Sequence, residues 1–446
     1  MRYCKLWVTC TSSFVISSSS VSYLFTRKGP IRRPARFGGD SCGLGPASAA
    51  RGIYTPARIS RRRTCNSCSN SCENIRVRTG GRRAQPAGMQ GPDEDSQRDA
   101  TTTYEGVPPR VLTVQSHVVA GRVGNRCAEL PLNLLGCEAD ALHTVHFSNH
   151  LGFPSHAGRR CADNEVSDLL TGLRSNGLLA GRYRALLTGY IGTRASLEAV
   201  VSCAREMRDN KSRGDFDWYL DPVLGDHGRV YVPDDVAECM RREAVPLASV
   251  VTPNGFEASV LAGMAMPPSN EGEAFACADA IHAMGPHTVV ITSLPNNGGG
   301  HAQGSNGESA GYVCLYGSTT MPQDDGLPQR FCIRSPIREG YYTGTGDLFA
   351  ALLCGHTLQM GYGRVSQACE RAAATLQEVL RVTEAVSTNL RNNEPKRDGD
   401  AEKAAEARRR ELQLVRCRAA IVDPPPPLAG GVQACAGHPT PKVTLH

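Results

Sequence analysis

The stretch ASVVTPNGFEASVL, residues 248–261, changes period at its middle. Val250, Val251 and Thr252 form a short β-branched run suited to a buried strand. Two residues on, Asn254 stands three before Glu257, the spacing of a capping box at a helix start. A strand that hands over to a helix within so few residues is the repeating step of a βαβ unit.

The same texture recurs on both sides. VLTVQS, ALHTVHFS, ALLTG, DWYLDPV and TVVITS read as further buried strands, with helix-period segments between them. Weaker strand signals lie at 312–316 and 330–333, a helix is expected over 347–357, and a last long helix over 366–390. This alternation predicts an α/β fold, a doubly wound, mostly parallel sheet with helices on both faces. The stretch LPNNGGGHAQGSNGESAG reads as a flexible loop, RNNEPKRDGDAEKAAEARRR as a charged, mobile insertion, and DPPPPLAGG as a Pro-rich tail. The expected organisation is an extension over residues 1–108, one catalytic-sized domain over 109–425, and a tail over 426–446.

Charge separates the extension from the body. Residues 1–90 carry 16 Lys plus Arg against Asp40 and Glu73, a net of +14; the whole chain is +6, which leaves −8 for the remainder. A mildly acidic body gives no ground for a nucleic-acid partner. The Ser- and Arg-rich start reads as a transit peptide, as a disordered extension, or as a segment upstream of a true start at Met89. Its apolar residues are interrupted by serines, so neither a membrane span nor a secretory signal is expected. Twelve of the 18 cysteines are scattered singly from Cys127 onward, the pattern of reduced thiols. Cys65, Cys68 and Cys72 have zinc-like spacing, but no second ligand pair follows them and no His precedes His117.

In an open parallel sheet, ligands gather beyond the carboxyl ends of the strands. Polar groups end several of them: Ser116 with His117, Asp221, Thr252 with Asn254, and Thr292 with Ser293. No GxxxxGK[ST] loop is present and no Lys lies between Lys28 and Lys211, so phosphates must be met by metal ions, backbone amides or arginines. The turn GTGD at 344–347 can supply the amides. Gly344 and Gly346 let successive N–H groups face one anion, and the following helix aims its positive end at the same point. The same four residues would also make a plain helix cap. In DPVLGD, Asp221 and Asp226 offer oxygens for a cation. A carboxylate at Glu257 could cap its helix and also hold a metal-bound water.

In order and spacing, VLTVQSHVVAGRVGN, HTVHFSNH, LLTGY, DPVLGD, YVPDDV, TPNGFEASVL, GPHTVVITS, GTGDLFAALL and ELQLVRCRAAIVDPP resemble the pyridoxal kinases of the ribokinase-like superfamily. The resemblance spans residues 110–426. It implies an ATP-dependent kinase acting on the 5′-hydroxymethyl group of pyridoxal, pyridoxine and pyridoxamine, a homodimer of the cytosol with no membrane partner. A mitochondrial or plastid location would follow from a genuine transit peptide. Asp347 is then the proton acceptor, with the amides of Gly344, Thr345 and Gly346 holding the transferring phosphoryl group. Ser116 would meet the polar edge of the vitamer ring, with Val123, Phe147 and Tyr190 on its faces; on spacing alone those three could equally be core. Asp226 and Glu257 would position Mg²⁺. Asp221, Thr252 and Thr292 would surround K⁺ or Na⁺, and Asn254, Thr292, Ser293 and Thr345 would contact ATP.

Two departures stand out. Leu151 occupies the position after SNH where the family carries Thr or Ser, and Arg122 replaces an aromatic residue. Both bear on vitamer preference, and the short 226–231 loop bears on closure over ATP. A hydroxymethylpyrimidine kinase and a catalytically weak vitamer-binding protein are the alternative readings. Asp347, at a helix N-terminus whose dipole favours its ionised form, is expected to be a weak base that accepts its proton late.

Overall fold

Side chains alternate in direction along each strand, and that alternation divides the core in two. In the computed structural model, residues 107–209, 216–226, 228–295, 311–428 and 430–435 are described. The strands are β1 (Arg110–Val118), β2 (Glu138–Phe147), β3 (Gly158–Arg160), β4 (Ala185–Thr188), β5 (Asp217–Leu220), β6 (Gly225–Asp226), β7 (Arg229–Val230), β8 (Val250–Val251), β9 (Thr288–Pro295), β10 (Tyr312–Thr319), β11 (Arg330–Pro336) and β12 (Val432–Ala434). The helices are α1 (Asn125–Leu134), α2 (Glu165–Ser175), α3 (Arg194–Asp209), α4 (Asp234–Cys239), α5 (Gly255–Ala262), α6 (Glu271–His282), α7 (Thr345–Met360), α8 (Val365–Asn393), α9 (Gly399–Arg409) and α10 (Arg418–Val422).

Leu186, Trp218, Val251 and Ile291 point to one face of the sheet, where they pack with apolar residues of α2 to α6. Their neighbours Leu187, Tyr219, Val250 and Val290 point to the other, against α1, α7, α8 and α10. Strands buried on both faces need no polar side, so β4 and β5 are buried at every position.

The ten strands of the main sheet run β12-β11-β10-β9-β8-β5-β4-β1-β2-β3. Pairing is parallel from β2 through β9 and antiparallel from β9 to β12 and between β2 and β3. From β1 the chain first moves outward to β2, then returns to place β4 on the opposite side of β1. That reversal opens a crevice beyond the carboxyl ends of β1 and β4.

Two expectations about the C-terminal third are corrected. The charged stretch read as a mobile insertion folds into the last residues of α8 and into α9. Arg409, 2% exposed, is held there by Glu394, Glu402 and Glu406. Alternating charges three to four residues apart pair along and between helices, a pattern equally compatible with a solvated tail. The segment read as tail contributes β12, which pairs with β11 because that strand offers an open edge. The zinc-like cysteines, the N-terminal extension and most of the Gly- and Asn-rich stretch lie outside the described residues.

Candidate active site

Beyond the reversal point lies a cavity of about 420 Å³. Ser116, Val123, Phe147, Leu151, Tyr190 and Asp347, the six residues singled out from sequence for the vitamer, all line it. Each arrives from a different turn of the fold: the ends of β1 and β2, the loops that follow them, the loop after β4, and the first turn of α7. A second cavity of about 140 Å³ is lined by Thr292, Ser293, Thr345 and Gly346, together with apolar residues of β10, α7 and α8. The GTGD turn is therefore the partition, with Asp347 on one side and Thr345 and Gly346 on the other.

Local geometry explains the glycine at 344. Its φ is +89°, and a Cβ there would lie 2.2 Å from the Arg122 carbonyl oxygen. Gly124 is similarly constrained, with φ +52° and its backbone packed on Ser116. The Gly124 amide favours the charged form of the Asp347 carboxylate. The N-termini of α1 and α7 thus converge on one carboxyl group.

Despite that amide, the Asp347 carboxyl is raised above the usual aspartate range, because burial outweighs it. One part of its surface still faces the cavity, but the protein encloses the rest. Burial thus works against the helix dipole, which favours the ionised form. A raised carboxyl lies nearer to working pH and is the better proton acceptor.

Asp221, at the end of β5, is pushed well above its ordinary value by burial and by the like charges of Glu257 and Asp347. Glu257 is pushed up to about 7, chiefly by burial, although three amides oppose the shift. Its Oε1 accepts from Leu224 N at 2.8 Å and Gly225 N at 3.3 Å, and its Oε2 from Asn254 N at 2.9 Å. With Asn254 Oδ1 accepting from Glu257 N at 2.9 Å, the capping box read from sequence is complete, and it also ties the β5 loop to α5. Asn254 forms a parallel bridge with Thr292, which sets the β8 and β9 ends side by side.

Three carboxylates gathered in a low-dielectric crevice repel one another unless a cation joins them. Thr252, between Asp221 and Asn254 on the strand ends, has a buried Oγ1 with no hydrogen-bond partner. The donor set fits hard cations, which take oxygen ligands. Val223 and Ser293, at φ +39° and +60°, are the only non-glycine residues with positive φ among those described, and both line the cavities. Such strain is found where surrounding structure holds a functional conformation.

The structure adds residues that the sequence reading passed over. His150, Tyr231, Tyr341 and Thr343 line the larger cavity, and burial raises both tyrosine hydroxyls. The aromatic doublet just before GTGD was the available signal for Tyr341. Nothing local marked Tyr231, which comes from the far end of the β6–β7 hairpin.

A family model described as phosphomethylpyrimidine kinase matches residues 182–395. Human pyridoxal kinase is 39% identical over 282 residues, covering 61% of this chain and 85% of its own length. The Arabidopsis thaliana pyridoxal kinase is 39% identical over 275 residues, covering 61% and 82%. Among solved structures, the Leishmania donovani pyridoxal kinase in complex with ADP and pyridoxamine superposes with a TM-score of 0.59 at 31% identity, covering 72% of this chain and 97% of that one. Two relatives at this identity, matched over more than four fifths of their length, agree with the ordered motifs and with the two cavities meeting at GTGD: the chain belongs to the pyridoxal kinase family.

Proposed function

We propose that this protein transfers the γ-phosphoryl group of ATP to the 5′-hydroxymethyl group of pyridoxal, and likewise of pyridoxine and pyridoxamine. It is an ATP-dependent pyridoxal kinase. The observation that carries this reading is the GTGD partition, with Asp347 lining one cavity and Thr345 and Gly346 lining the other. The vitamer occupies the cavity of Ser116, Val123, Phe147, Leu151 and Tyr190, and ATP lies along Asn254, Thr292, Ser293 and Thr345.

Phosphoryl transfer through a loose transition state asks for alignment and for stabilisation of charge on the moving group. The N–H groups of Gly344, Thr345 and Gly346 at the start of α7 supply both, and one such donor is typically worth about 3 to 4 kcal/mol. Asp347 accepts the hydroxyl proton as the new P–O bond forms. Asp226 and Glu257 would hold Mg²⁺, the latter through its remaining lone pair and a bound water; Asp221, Thr252 and Thr292 would hold K⁺ or Na⁺. When bound, these cations neutralise phosphate charge.

A homodimer and a cytosolic location, or a mitochondrial or plastid one, belong to the same proposal and rest on the family resemblance, as does a catalytic domain from residue 109, which β12 extends beyond 425. No helix among the described residues is long and apolar enough to cross a membrane.

The test is the full chain with MgATP and K⁺, offered pyridoxal, pyridoxine or hydroxymethylpyrimidine separately. Phosphorylation of the B6 vitamers is expected, and Asp347→Ala should abolish it while ATP still binds. Turnover of hydroxymethylpyrimidine alone would favour the activity for which the matching family model is named. Binding of a vitamer without turnover would favour a non-catalytic role.

A further inference from the structure

Three loops wall the vitamer cavity: residues 119–124 after β1, residues 148–153 after β2, and residues 339–343 before α7. None of them is continuous with another in sequence, yet one short C-terminal segment touches all three. Glu411, just beyond α9, has one carboxylate oxygen accepting from Arg122 N at 2.8 Å. Its other oxygen is 2.8 Å from His150 Nε2. Arg410 lies with its guanidinium carbon 5.4 Å from the centre of the Tyr342 ring and reaches the Glu339 carbonyl at 3.4 Å. The preceding Arg409 is anchored by three glutamates, so this segment has a fixed base.

We propose that Glu411 is a positioning residue for the vitamer, acting through His150 and the 119–124 loop. This rests on the assignment of the larger cavity as the vitamer site. The hydrogen-bond pattern defines its action. His150, 7% exposed, accepts from Gly152 N on Nδ1 at 3.1 Å. Nδ1 is then the acceptor, Nε2 carries the proton, and that proton goes to Glu411. One carboxylate therefore fixes the tautomer and the plane of an imidazole that lines the cavity, while its second oxygen holds the neighbouring loop by its backbone. Space has been left for this approach: Gly121, at φ +123°, would place a Cβ 3.0 Å from Glu411 Oε1 and 3.2 Å from His150 Cδ2.

Only an ionised carboxylate satisfies both partners, because both are donors. A glutamine of the same shape can accept from one of them, and must then turn its NH₂ towards the other. If its oxygen keeps Arg122 N, its NH₂ faces His150 Nε2 and favours the Nδ1–H tautomer, which sets N–H against the Gly152 N–H. If its oxygen keeps His150, the loop amide loses its acceptor. Each option displaces one wall of the cavity and leaves the nucleotide cavity untouched.

The experiment compares the full-length wild type with Glu411→Gln by steady-state kinetics and by ¹⁵N NMR of the histidine rings. The expected result is a vitamer KM raised about tenfold or more, the loss of one charge-assisted bond, with the ATP KM within twofold. The wild-type His150 should carry its proton on Nε2, and the variant should lose that signature or broaden it. A parallel rise in both KM values would indicate general loosening and overturn the proposal, as would unchanged vitamer KM with an unchanged tautomer. Should the wild type phosphorylate no vitamer, the functional reading fails by itself; the tautomer measurement then still decides the Glu411 to His150 relation, and an Nδ1–H wild type would sink it.

Discussion

Gly344 and Gly346 stand one residue apart in the same turn, but the structure requires them for different reasons, and substitution with alanine separates those reasons. At Gly344 the backbone is left-handed, which costs alanine about 1 to 2 kcal/mol. Its Cβ would also sit 2.2 Å from the Arg122 carbonyl oxygen and 3.5 Å from Val123 Cγ1. A backbone carbonyl cannot rotate aside like a side chain, so the overlap must be relieved by moving α7 away from the 119–124 loop, at about 1 to 3 kcal/mol. Together these predict a loss of about 2 to 5 kcal/mol for Gly344→Ala, or a fall in Tm of roughly 3 to 7 °C in a domain of this size. At Gly346 no strain arises. Among the described residues, a Cβ there meets only Asp221 Oδ2, at an ordinary 3.5 Å. Gly346→Ala lies in the first turn of a helix and should be neutral or stabilising by up to about 1 kcal/mol. The added methyl, however, occupies the space between the Asp221 carboxylate and the amides, where the moving phosphoryl group must fit. A misplacement of about 1 Å there should lower kcat by roughly 100-fold. Chemical denaturation and steady-state kinetics on both variants read out the contrast. A fully active Gly346→Ala would remove the amide nest from the mechanism, and a Gly344→Ala as stable as wild type would show that the 119–124 loop yields freely.

Asp221→Asn removes one of three mutually repelling buried carboxylates. In buffer free of Mg²⁺ and K⁺ it should raise stability by about 1 to 2 kcal/mol, abolish the Tm increase those ions produce, and cut turnover; a lower Tm with the ion response intact would contradict the cation assignment. Leu151 is 60% exposed at the cavity rim. Leu151→Thr restores a hydroxyl worth about 0.5 to 1.5 kcal/mol and should lower the vitamer KM about 2- to 10-fold, whereas an unchanged KM would mean that the cavity has been rebuilt around leucine. His356, fully buried in α7, is lowered to about 4 by burial and by Arg371. The unfolded chain then binds the proton more readily between pH 6.5 and 4, so stability falls as pH drops through that window. Replacing it by Gln should flatten the slope by up to about 1.4 kcal/mol per pH unit in urea denaturation series, and an unaltered slope would refute this origin.

How much of the site could be read in advance depended on how local its causes were. The Asn254 to Glu257 capping box is set by two residues three apart, so spacing alone revealed it, and the structure extends it by letting Glu257 also grip Leu224 and Gly225. The GTGD turn was legible for the same reason. His150 went unassigned although it sits beside Leu151, because its importance lies in a partner 261 residues away. The upward push on Asp347 was not legible in advance, because a helix dipole is visible in sequence whereas desolvation depends on what the rest of the chain packs around it. Similarly, α9 carries no apolar stripe, and its ion pairs to Arg391 of α8 and to Glu394 just beyond it are not announced by sequence spacing.

By itself the sequence determined the element types of the βαβ core, the alternation that makes strands buried on both faces, and the polar residues that end them. Those follow from side-chain period and turn chemistry, which act over a few residues. The order β8-β5-β4-β1-β2, and with it the position of the crevice, was decided only by the tertiary structure. So were the partition of that crevice by one turn, the elevation of Asp221 by burial, Glu257 and Asp347, and the reach of Glu411 across the chain. These depend on which strands lie side by side and on how much solvent they exclude, and both are settled only when the whole core has closed.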